Sequence, residues 1–313
     1  MHMKLYMAPL EGITGYTYRN AYHTYFTDVD KYFTPFLTPH TKRSFNTREK
    51  KDLIPEHNAG MHVVPQVLTK SAPDFLMIEE KLSEFGYQEL NINAGCPSGT
   101  VASKGRGAGL LDNPKALDEL LAGIFKETRV KVSVKTRIGM ESPEEFPDIL
   151  EIYNKYPLEE LIIHPRVRED YYKNYPNYDM FAYALEHSRN PIVYNGDLFT
   201  MTDVMEFTKQ FPQVDTLMLG RGLIANPGLV GQLYGEKPMD KETLLTFHNF
   251  LVLEYAKEVS GDKNVLFKMK EVWFYLSRSF TNPDKYLKKI KKSNNLVEYQ
   301  IAVDELFGKE SLQ

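Results

Sequence analysis

The sequence predicts an α/β fold, a TIM (βα)8 barrel followed by a C-terminal helical domain. Two observations carry this prediction. Short apolar runs recur along the chain, and each is followed by a loop rich in Gly, Pro or Asn and then by a segment with helical spacing. Eight such runs occur, which is the strand number of a TIM barrel. The length of 313 residues suits one large barrel with a smaller appendage.

The eight predicted strands are Lys4–Ala8, Lys31–Phe33, Val63–Val67, Glu89–Ile92, Lys131–Lys135, Glu160–His164, Pro191–Asn195 and Thr216–Leu219. The predicted helices between them are Ala72–Glu84, Pro114–Lys126, Glu144–Tyr156, Met180–His187 and Thr202–Phe211. Pro114 and Pro143 suit a first helical turn, where a missing N–H costs nothing. Residues 34–54, after the second strand, are polar and without clear period, so we expect an excursion over the barrel mouth there.

The strand pattern ends after Gly235 and Pro238. Apolar residues at helical spacing then predict four successive helices, at Lys241–Val259, Val265–Phe280, Asp284–Lys291 and Leu296–Phe307. We therefore expect two domains: a barrel at 1–237 and a helical domain at 238–313.

The composition excludes several classes of protein. Hydrophobic residues make up 42% of the chain and charged residues 26%, which excludes wholesale disorder. No run approaches the roughly 18 consecutive apolar residues of a membrane span, and no signal peptide is recognisable, so we expect a cytoplasmic protein. The single cysteine, Cys96, excludes an internal disulfide and a thiolate metal cluster, and no metal site is predicted.

Charge is unevenly distributed around the formal total of -4. Residues 238–313 hold 12 Lys and Arg against 11 Asp and Glu, whereas the rest of the chain holds 26 against 31. Five lysines, Lys285, Lys288, Lys289, Lys291 and Lys292, stand without an acid between Asp284 and Glu298. This cluster is either a solvated helix face or a contact for RNA phosphates.

Polar and glycine residues follow most of the predicted strands, and in a parallel barrel all strand C-termini lie at one face. These residues are Glu11, Gln66, Asn93, Cys96, Lys135, His164, Arg166, Asn195, Asp197, Gly220 and Arg221. Taken singly, each has a structural explanation, such as a satisfied rim histidine or a packed cysteine. Together they predict a functional site at this face.

Three details suggest its chemistry. Gly220-Arg221-Gly222 lies after the eighth strand, where many barrels bind a phosphate. Lys135 is suited to stabilise charge on an electron-accepting ring, or alternatively to form a Schiff base. A glycine-rich stretch from Gly99 to Leu111 carries Lys104 and Arg106, and predicts a mobile basic loop close to the Cys96 thiol.

The sequence resembles the tRNA-dihydrouridine synthase family. The motifs that carry the resemblance are Met7–Thr14 with Arg19, Asn93–Pro97, Lys104–Leu111, Val134–Gly139, His164–Arg166, Asn195–Asp197 and Gly220–Arg221. Three positions depart from the family pattern. Pro165 replaces a glycine and removes a backbone N–H, and Leu10 and Gly15 replace a methionine and an aspartate.

The resemblance implies that the barrel at 1–237 is an FMN-binding catalytic domain and that the helical domain at 238–313 binds RNA. It also implies NADPH as electron donor and RNA as substrate, with tRNA preferred and ribosomal RNA as the alternative. It implies that Cys96 is the catalytic proton donor. The implied cofactor-binding residues are Pro9, Leu10, Glu11, Gln66, Lys135, His164, Asn195, Gly196, Asp197, Gly220 and Arg221. The implied substrate-binding residues are Asn93, Lys104, Arg106 and Arg166.

The implied reaction is reduction of uridine to 5,6-dihydrouridine. Reduced FMN would deliver hydride to C6, Cys96 would protonate C5, and NADPH would reduce the flavin again. Three alternatives stay open at this point: an FMN barrel acting on a free small molecule, a Schiff-base lyase using Lys135, and a non-catalytic RNA-binding protein or chaperone.

Overall fold

The structure is a computed structural model that describes residues 3–40 and 45–313. The predicted fold class is confirmed, because the described strands form one sheet of parallel pairs that alternate with helices, and further helices follow the last strand. The strands are β1 (Lys4–Met7), β2 (Lys31–Phe33), β3 (Val63–Val64), β4 (Gln66–Val67), β5 (Glu89–Ala94), β6 (Lys131–Arg137), β7 (Leu161–His164), β8 (Ile192–Tyr194) and β9 (Thr216–Leu219).

The α-helices of the described residues are α1 (Tyr16–Tyr25), α2 (Thr47–Leu53), α3 (Ala72–Ser83), α4 (Gly99–Ala102), α5 (Pro114–Glu127), α6 (Phe146–Tyr153), α7 (Tyr178–His187), α8 (Met201–Gln210), α9 (Arg221–Ala225), α10 (Leu229–Leu233), α11 (Lys241–Glu258), α12 (Asp262–Leu276), α13 (Asp284–Lys292) and α14 (Leu296–Lys309). Short 3-10 helices occupy Pro55–Asn58, Gly107–Leu110, Pro143–Glu145 and Ser277–Ser279.

The sheet runs in the order β3-β2-β1-β9-β8-β7-β6-β5-β4. Its two end members are the halves of the third predicted strand, interrupted at Pro65, which has no N–H to donate to a ladder. The carbonyl of Pro65 still accepts from Asn91 N at 2.9 Å, and Leu37, beyond β2, bridges to Val67 in parallel. Because β3 and β4 are consecutive in the chain, this segment brings the two ends of the sheet together, as a barrel requires.

The register of β5, β6 and β7 places the functional strand ends side by side. Asn93 pairs with Lys135, and Arg137 pairs with His164. Below this layer, apolar side chains from several strands fill the sheet interior, with exposures of at most 4%. They are Tyr6, Ala8, Phe33, Val64, Ile162, Val193 and Met218.

Several predicted boundaries differ from those observed. The segment predicted as one helix at Glu144–Tyr156 starts as a 3-10 turn and continues as α6. No helix is predicted in residues 34–54, yet α2 forms there, and Asn46 and Glu49 make a reciprocal capping box at its start. The rest of the predicted excursion includes residues 41–44, which lie outside the described residues.

The chain divides into two compact units. The first comprises residues 1–9, 31–197 and 211–218, and the second comprises residues 10–30, 198–210 and 219–313. The predicted domains, a catalytic one at 1–237 and an RNA-binding one at 238–313, are defined by function. Their boundary stays a prediction.

A buried hydrogen-bonded group stabilises the second unit. Trp273 Nε1 donates to the Tyr299 hydroxyl at 2.7 Å, and that hydroxyl lies 2.6 Å from His248 Nε2. Burial lowers the pKa of His248 to about 4, so its ring is neutral and Nε2 accepts the tyrosine proton. Every polar atom of this aromatic cluster thus has a partner, which lets it lie in the core.

No helix among the described residues is long and apolar enough to cross a membrane. The same residues contain no group of three or more His, Cys, Asp or Glu side chains placed to hold a metal ion.

A buried ionic group lies at the N-terminal ends of the strands, opposite the functional face. Lys31 Nζ lies 3.0 Å from both oxygens of Glu89 and 3.1 Å from Glu160 Oε2, and the Tyr6 hydroxyl donates to Glu160 Oε1 at 2.5 Å. Burial raises the pKa of Glu89 even though Lys31 opposes the shift. One ammonium therefore compensates two carboxylates.

We expect Lys31→Met to lower the free energy of unfolding by about 3–5 kcal/mol, because it leaves buried Glu89 and the largely buried Glu160 without their cation. Urea denaturation measures the change. Lys131→Met is the control: Lys131 pairs with Glu159 but is 62% exposed, so stability should stay unchanged. Equal stability of the two variants would contradict the proposed importance of the buried ionic group.

Candidate active site

The backbone around Cys96 is held by one side chain at the end of β5. The Asn93 side-chain oxygen accepts hydrogen bonds from the N–H groups of Gly95 at 3.1 Å and Cys96 at 2.9 Å. The carbonyl of Cys96 in turn accepts from Ala108 N at 3.0 Å. The thiol therefore projects from a backbone fixed on both sides, with Cys96 itself partly exposed.

A chain of buried amides fixes Asn93. Its Nδ2 donates to Gln66 Oε1 at 2.7 Å, Gln66 Nε2 donates to Asn91 Oδ1 at 2.8 Å, and Asn91 Nδ2 donates to the Ser133 hydroxyl at 2.9 Å. All four side chains are at most 8% exposed. Sequence reasoning missed Asn91 and Ser133. The signal was the spacing of Asn91 and Asn93, two residues apart and hence on one face of a strand.

The glycine-rich stretch packs against Cys96 as regular structure, α4 and the Gly107–Leu110 turn, where the sequence predicted a mobile loop. Gly107 has φ +57°, and a Cβ there would lie 2.9 Å from Cys96 Cβ. A side chain at this position would displace the cysteine. The predicted substrate residues differ in setting: Lys104 is exposed, whereas Arg106 Nε is buried without a hydrogen-bond partner in the described residues.

Arg137 joins the loops after β5 and β7, and sequence reasoning did not assign it to the site. Its Nε donates to Gly95 O at 3.0 Å, Nη1 to Val167 O at 2.8 Å and Nη2 to Tyr171 O at 2.8 Å. The side chain is 1% exposed. Tyr171 has a left-handed backbone with φ 49°, which is uncommon for a residue with a side chain and is held here by the arginine.

A second cluster contains four predicted residues. His164 Nδ1 lies 2.6 Å from Asn195 O, and because a carbonyl only accepts, Nδ1 carries the proton. His164 Nε2 then accepts from Arg166 Nη1 at 3.3 Å. Burial, and next the charges of Arg137 and Lys135, hold the pKa of His164 well below its usual range, so the imidazole is neutral.

Arg166 is committed to contacts within the protein. Nη1 and Nη2 donate to the two oxygens of Asp197 at 2.9 and 2.5 Å, and Nε donates to Asn174 O at 2.6 Å. The side chain is 1% exposed. This geometry favours a positioning role for Arg166. The predicted direct contact of Arg166 with the substrate stays a prediction. Gly196, between Asn195 and Asp197, admits no side chain, because a Cβ would lie 1.8 Å from the Tyr194 hydroxyl oxygen.

Lys135 lies beside Asn93, on the adjacent strand β6. Its amine makes no hydrogen bond or ion pair within the described residues, although it interacts electrostatically with Cys96. Burial, with a further contribution from the Arg137 charge, lowers its pKa to about 7. An anionic group placed beside this amine would stabilise its charged form.

The second unit contains the predicted residues Leu10 and Glu11. Leu10 N donates to the Thr14 hydroxyl at 2.7 Å, and buried Arg19 donates from Nη1 to Thr14 O at 2.9 Å. These bonds form a tight turn after β1 that leaves Glu11 exposed and Leu10 partly exposed; Pro9, which precedes the turn, is also partly exposed. The Arg19 of the opening motif is thus a structural part of that turn.

Two guanidinium groups meet near Gly220 in the same unit. Arg221 lies over the Phe199 ring at 5.5 Å from its centroid, and Arg278 lies over the same ring at 5.1 Å. The Arg278 guanidinium makes no hydrogen bond or ion pair within the described residues. Close packing excludes a side chain at Gly222, where a Cβ would lie 1.8 Å from Leu198 O. Sequence reasoning found Arg221 but missed Arg278, which is distant in sequence.

Comparison with known proteins identifies the family. The family model described as dihydrouridine synthase (Dus) matches residues 6–310. The chain belongs to the dihydrouridine synthase family. The resemblance seen in the sequence motifs is confirmed.

Similar proteins extend over nearly the whole chain. A protein of Helicobacter pylori named "Probable tRNA-dihydrouridine synthase" is 27% identical, over 99% of this chain and 93% of its own length. The tRNA-dihydrouridine synthase B of Pasteurella multocida is 24% identical, over 90% and 86%. The tRNA-dihydrouridine(16) synthase of Vibrio parahaemolyticus is 24% identical, over 99% of both chains.

Solved structures support the fold. Morphinone reductase in complex with tetrahydroNAD matches with a TM-score of 0.53 and 11% identity, over 77% of this chain and 89% of that one. The old yellow enzyme homologue of Zymomonas mobilis matches with a TM-score of 0.52 and 12% identity, over 78% and 94%. At these identities the likeness concerns the fold alone.

The residues of this dihydrouridine synthase fit FMN, the cofactor that family membership implies. In the first unit, Lys135 has no carboxylate or hydrogen-bond partner within residues 3–40 and 45–313, and its charged form suits the electron-rich side of a reduced ring. In the second unit, Arg278 is a second cation beside Arg221, and paired guanidinium groups suit a phosphate. The individual cofactor roles of the predicted residues stay predictions.

Pro165, where the family has glycine, occupies a tight turn. Arg166 N donates to His164 O at 2.7 Å, across the proline, and Asn177 N donates to Pro165 O at 2.7 Å. Proline is compatible with such a three-residue turn because its φ is fixed near the required value. The missing N–H at residue 165 is therefore not needed by the backbone.

We expect Arg221→Ala and Arg278→Ala each to weaken FMN retention by about 10- to 150-fold, the equivalent of one charge-assisted contact. Fluorescence titration of apoprotein with FMN measures the dissociation constant. Arg189→Ala removes an exposed arginine in the first unit and serves as the control. Retention of FMN by the Arg278 variant at the wild-type level would show that only Arg221 acts on the phosphate.

Proposed function

We propose that this dihydrouridine synthase reduces uridine in tRNA to 5,6-dihydrouridine, with Cys96 as the proton donor and NADPH as the source of electrons. The observation that supports it most directly is Cys96, on a backbone fixed by Asn93 and Ala108, with Lys135 paired to Asn93 in the adjacent strand. The family match over residues 6–310 supplies the reaction class.

Reduction of the uracil 5,6 double bond needs a hydride at one carbon and a proton at the other. Bound FMN supplies the hydride chemistry. The chain itself must hold a proton at a fixed point, and the Cys96 thiol does so. A general acid acts only when it lies within hydrogen-bond reach of its acceptor, so the rigid backbone around Cys96 serves the transfer directly.

The charges of the first unit favour an anionic ligand. Lys135, Arg137 and Arg166 lie near the strand ends, and Asp197 forms an ion pair with Arg166. Neutral His164 adds no charge and keeps one tautomer, so it offers a fixed polar contact. An anionic flavin or an RNA phosphate would find a positive environment here.

Substrate binding requires the uridine to leave its stack, which costs roughly a few kcal/mol. The buried and unpartnered Nε of Arg106 and the exposed amine of Lys104 stand beside the Cys96 loop and are suited to phosphate or base contacts. The proposed direct contact of Asn93 with uracil competes with its three hydrogen bonds inside the protein, so we assign Asn93 primarily to positioning.

The partly neutral Lys135 amine would also suit Schiff-base chemistry. The family match favours the cationic role beside a cofactor ring. Borohydride trapping of a covalent substrate adduct on Lys135 would reverse that assignment.

We expect Cys96→Ala to separate the two half-reactions. Reduction of bound flavin by NADPH should keep its wild-type rate, because it needs no thiol. Oxidation of the reduced enzyme by unmodified tRNA transcript should slow by roughly 10²–10⁴-fold, the usual contribution of a positioned acid. Anaerobic stopped-flow spectroscopy measures both rates, and mass spectrometry of the digested transcript measures dihydrouridine.

Ser103→Ala changes an exposed residue in the same segment and should behave as wild type. If Cys96→Ala forms dihydrouridine at the wild-type rate, Cys96 is not the proton donor. If wild-type enzyme loaded with FMN forms none on any tRNA transcript, the proposed function itself is wrong.

Helix α13 is the strongest candidate for an RNA-phosphate contact outside the catalytic residues. Tyr286 and Ile290 form its buried face, one turn apart, and the five lysines of the cluster are all exposed. Lys289 pairs with Glu305, and Lys285 lies over the ring of Tyr286. The helix thus presents a basic surface of which one cation is already compensated.

We expect replacement of Lys285, Lys288 and Lys292 by Gln to reduce the slope of log affinity against log salt by about two, at about 0.7 for each lost contact with single-stranded RNA. Filter binding of unmodified tRNA at several salt concentrations measures the slope. Flavin reduction by NADPH should not change. An unaltered slope would show that the cluster is a solvated surface.

A further inference from the structure

A pocket in the second unit lies between α12, α13 and the turn after β1. Its volume is about 410 Å³, within the range of small-ligand sites. The residues that matter here are Phe267, Lys270, Glu271 and Phe274 of α12 and Lys291 of α13. No role in the reaction proposed above uses these five side chains.

The helix sequence explains why these side chains line one pocket. Residues 267, 270, 271 and 274 follow the i, i+3, i+4, i+7 pattern and therefore share one face of α12. Phe267 is 63% exposed and Phe274 is 55% exposed. Two exposed phenylalanines within one pocket are costly in water and indicate a surface that a ligand covers.

Glu271 is a hydrogen-bond acceptor without a donor. Its Oε2 is buried with no hydrogen-bond partner in the described residues. The carboxylate is held against Gly12, whose φ is +85° and where a Cβ would lie 2.9 Å from Oε2. Burial raises the pKa of Glu271, and the Glu11 charge adds to the shift, while Lys268 opposes it. A buried acceptor left unpaired costs about 1–3 kcal/mol unless a ligand supplies the donor.

Nearby lysines are partly engaged elsewhere. Lys268 Nζ donates to Gly12 O at 3.2 Å, and Lys270 Nζ donates to Ser293 O at 2.7 Å. Lys291 Nζ lies 5.7 Å from the centroid of the Phe274 ring and belongs to the basic surface of α13. The pocket is therefore continuous with the surface proposed to contact RNA phosphates.

We propose that this pocket binds an unstacked guanine base of the substrate RNA. The proposal rests on the proposed function, because that function makes RNA the substrate. The base stacks on Phe274 or Phe267, its Watson–Crick edge donates to Glu271, and Lys291 lies near the adjoining phosphate.

Guanine is the base whose edge matches a carboxylate. Its N1–H and N2–H donors stand side by side, whereas uracil flanks its single N–H with two carbonyls, and adenine and cytosine place an acceptor beside their amino group. A carboxylate accepts two parallel donors well and is repelled by neighbouring acceptors. Aromatic stacking adds about 1–3 kcal/mol for any base and so gives affinity without selectivity.

The test compares two fluorescent RNA heptamers that differ by one amino group: guanosine or inosine at the centre of six adenosines. Inosine keeps N1–H and lacks the N2 donors. We expect the FMN-loaded wild type to bind the guanosine probe about tenfold more tightly by fluorescence anisotropy. Neither probe contains uridine, so neither is a substrate.

Three variants assign the effect to the pocket. Glu271→Gln should abolish the preference for guanosine, whereas Glu242→Gln, the same charge change at an exposed position of α11, should keep it. Phe274→Leu should weaken binding of both probes by about tenfold and leave their ratio unchanged, because stacking does not distinguish them.

Equal affinity of the two probes for the wild type would overturn the proposal, and so would a preference that survives Glu271→Gln. The readout does not depend on catalysis. A guanosine preference in an enzyme that forms no dihydrouridine would refute the proposed function and leave the pocket assignment intact. Dihydrouridine formation without a guanosine preference would refute the pocket assignment and leave the proposed function intact.

Discussion

The side-chain oxygen of Asn93 is the contact on which the geometry around Cys96 depends. It accepts from two consecutive backbone N–H groups, those of Gly95 and Cys96, and so replaces the strand ladder at the point where β5 ends. If the Asn93 side chain were flipped, its NH2 group would face these two N–H donors and could not accept from them. The amide chain through Gln66, Asn91 and Ser133 removes that freedom, because each donor in it faces an acceptor. The position of the thiol is thus set by hydrogen bonds that extend from β5 to the neighbouring strand on each side, β4 and β6.

Close packing adds a second constraint on the same segment. Gly107 meets Cys96 with a left-handed backbone, and Arg137 holds Gly95 from the other side while it fixes the loop after β7. A buried guanidinium that bonds three carbonyls forms a rigid link, because its planar donors fix direction as well as distance. The loops after β5 and β7 therefore form one connected support, and movement of either would disturb the other.

The sequence was sufficient for the fold class and for the strand positions, but it predicted no helix at α1, α9 or α10. Apolar runs and helical spacing are local, so eight strand positions and the later helices could be predicted. The third predicted strand differs from the observed structure only in its interruption at Pro65. Polar residues at strand ends are also local, which located Cys96, Lys135 and His164. Their partners are not local: Gln66 with Asn93, Arg137 with Val167 and Arg278 with Phe199 depend on pairing and packing. Helix α2 was missed because its capping box, rather than its apolar period, stabilises it.

The two ends of the strands in the first unit show how the same type of group serves structure or chemistry. Lys31, at the N-terminal end, is buried and bonded to two carboxylates, so its charge is compensated within the protein. Lys135, at the C-terminal end, has no carboxylate partner among the residues that the structure describes, and burial and a neighbouring arginine lower its pKa to about 7. An anionic group beside such an amine would stabilise its charged form. The two lysines are therefore distinguished by their partners and not by their residue type.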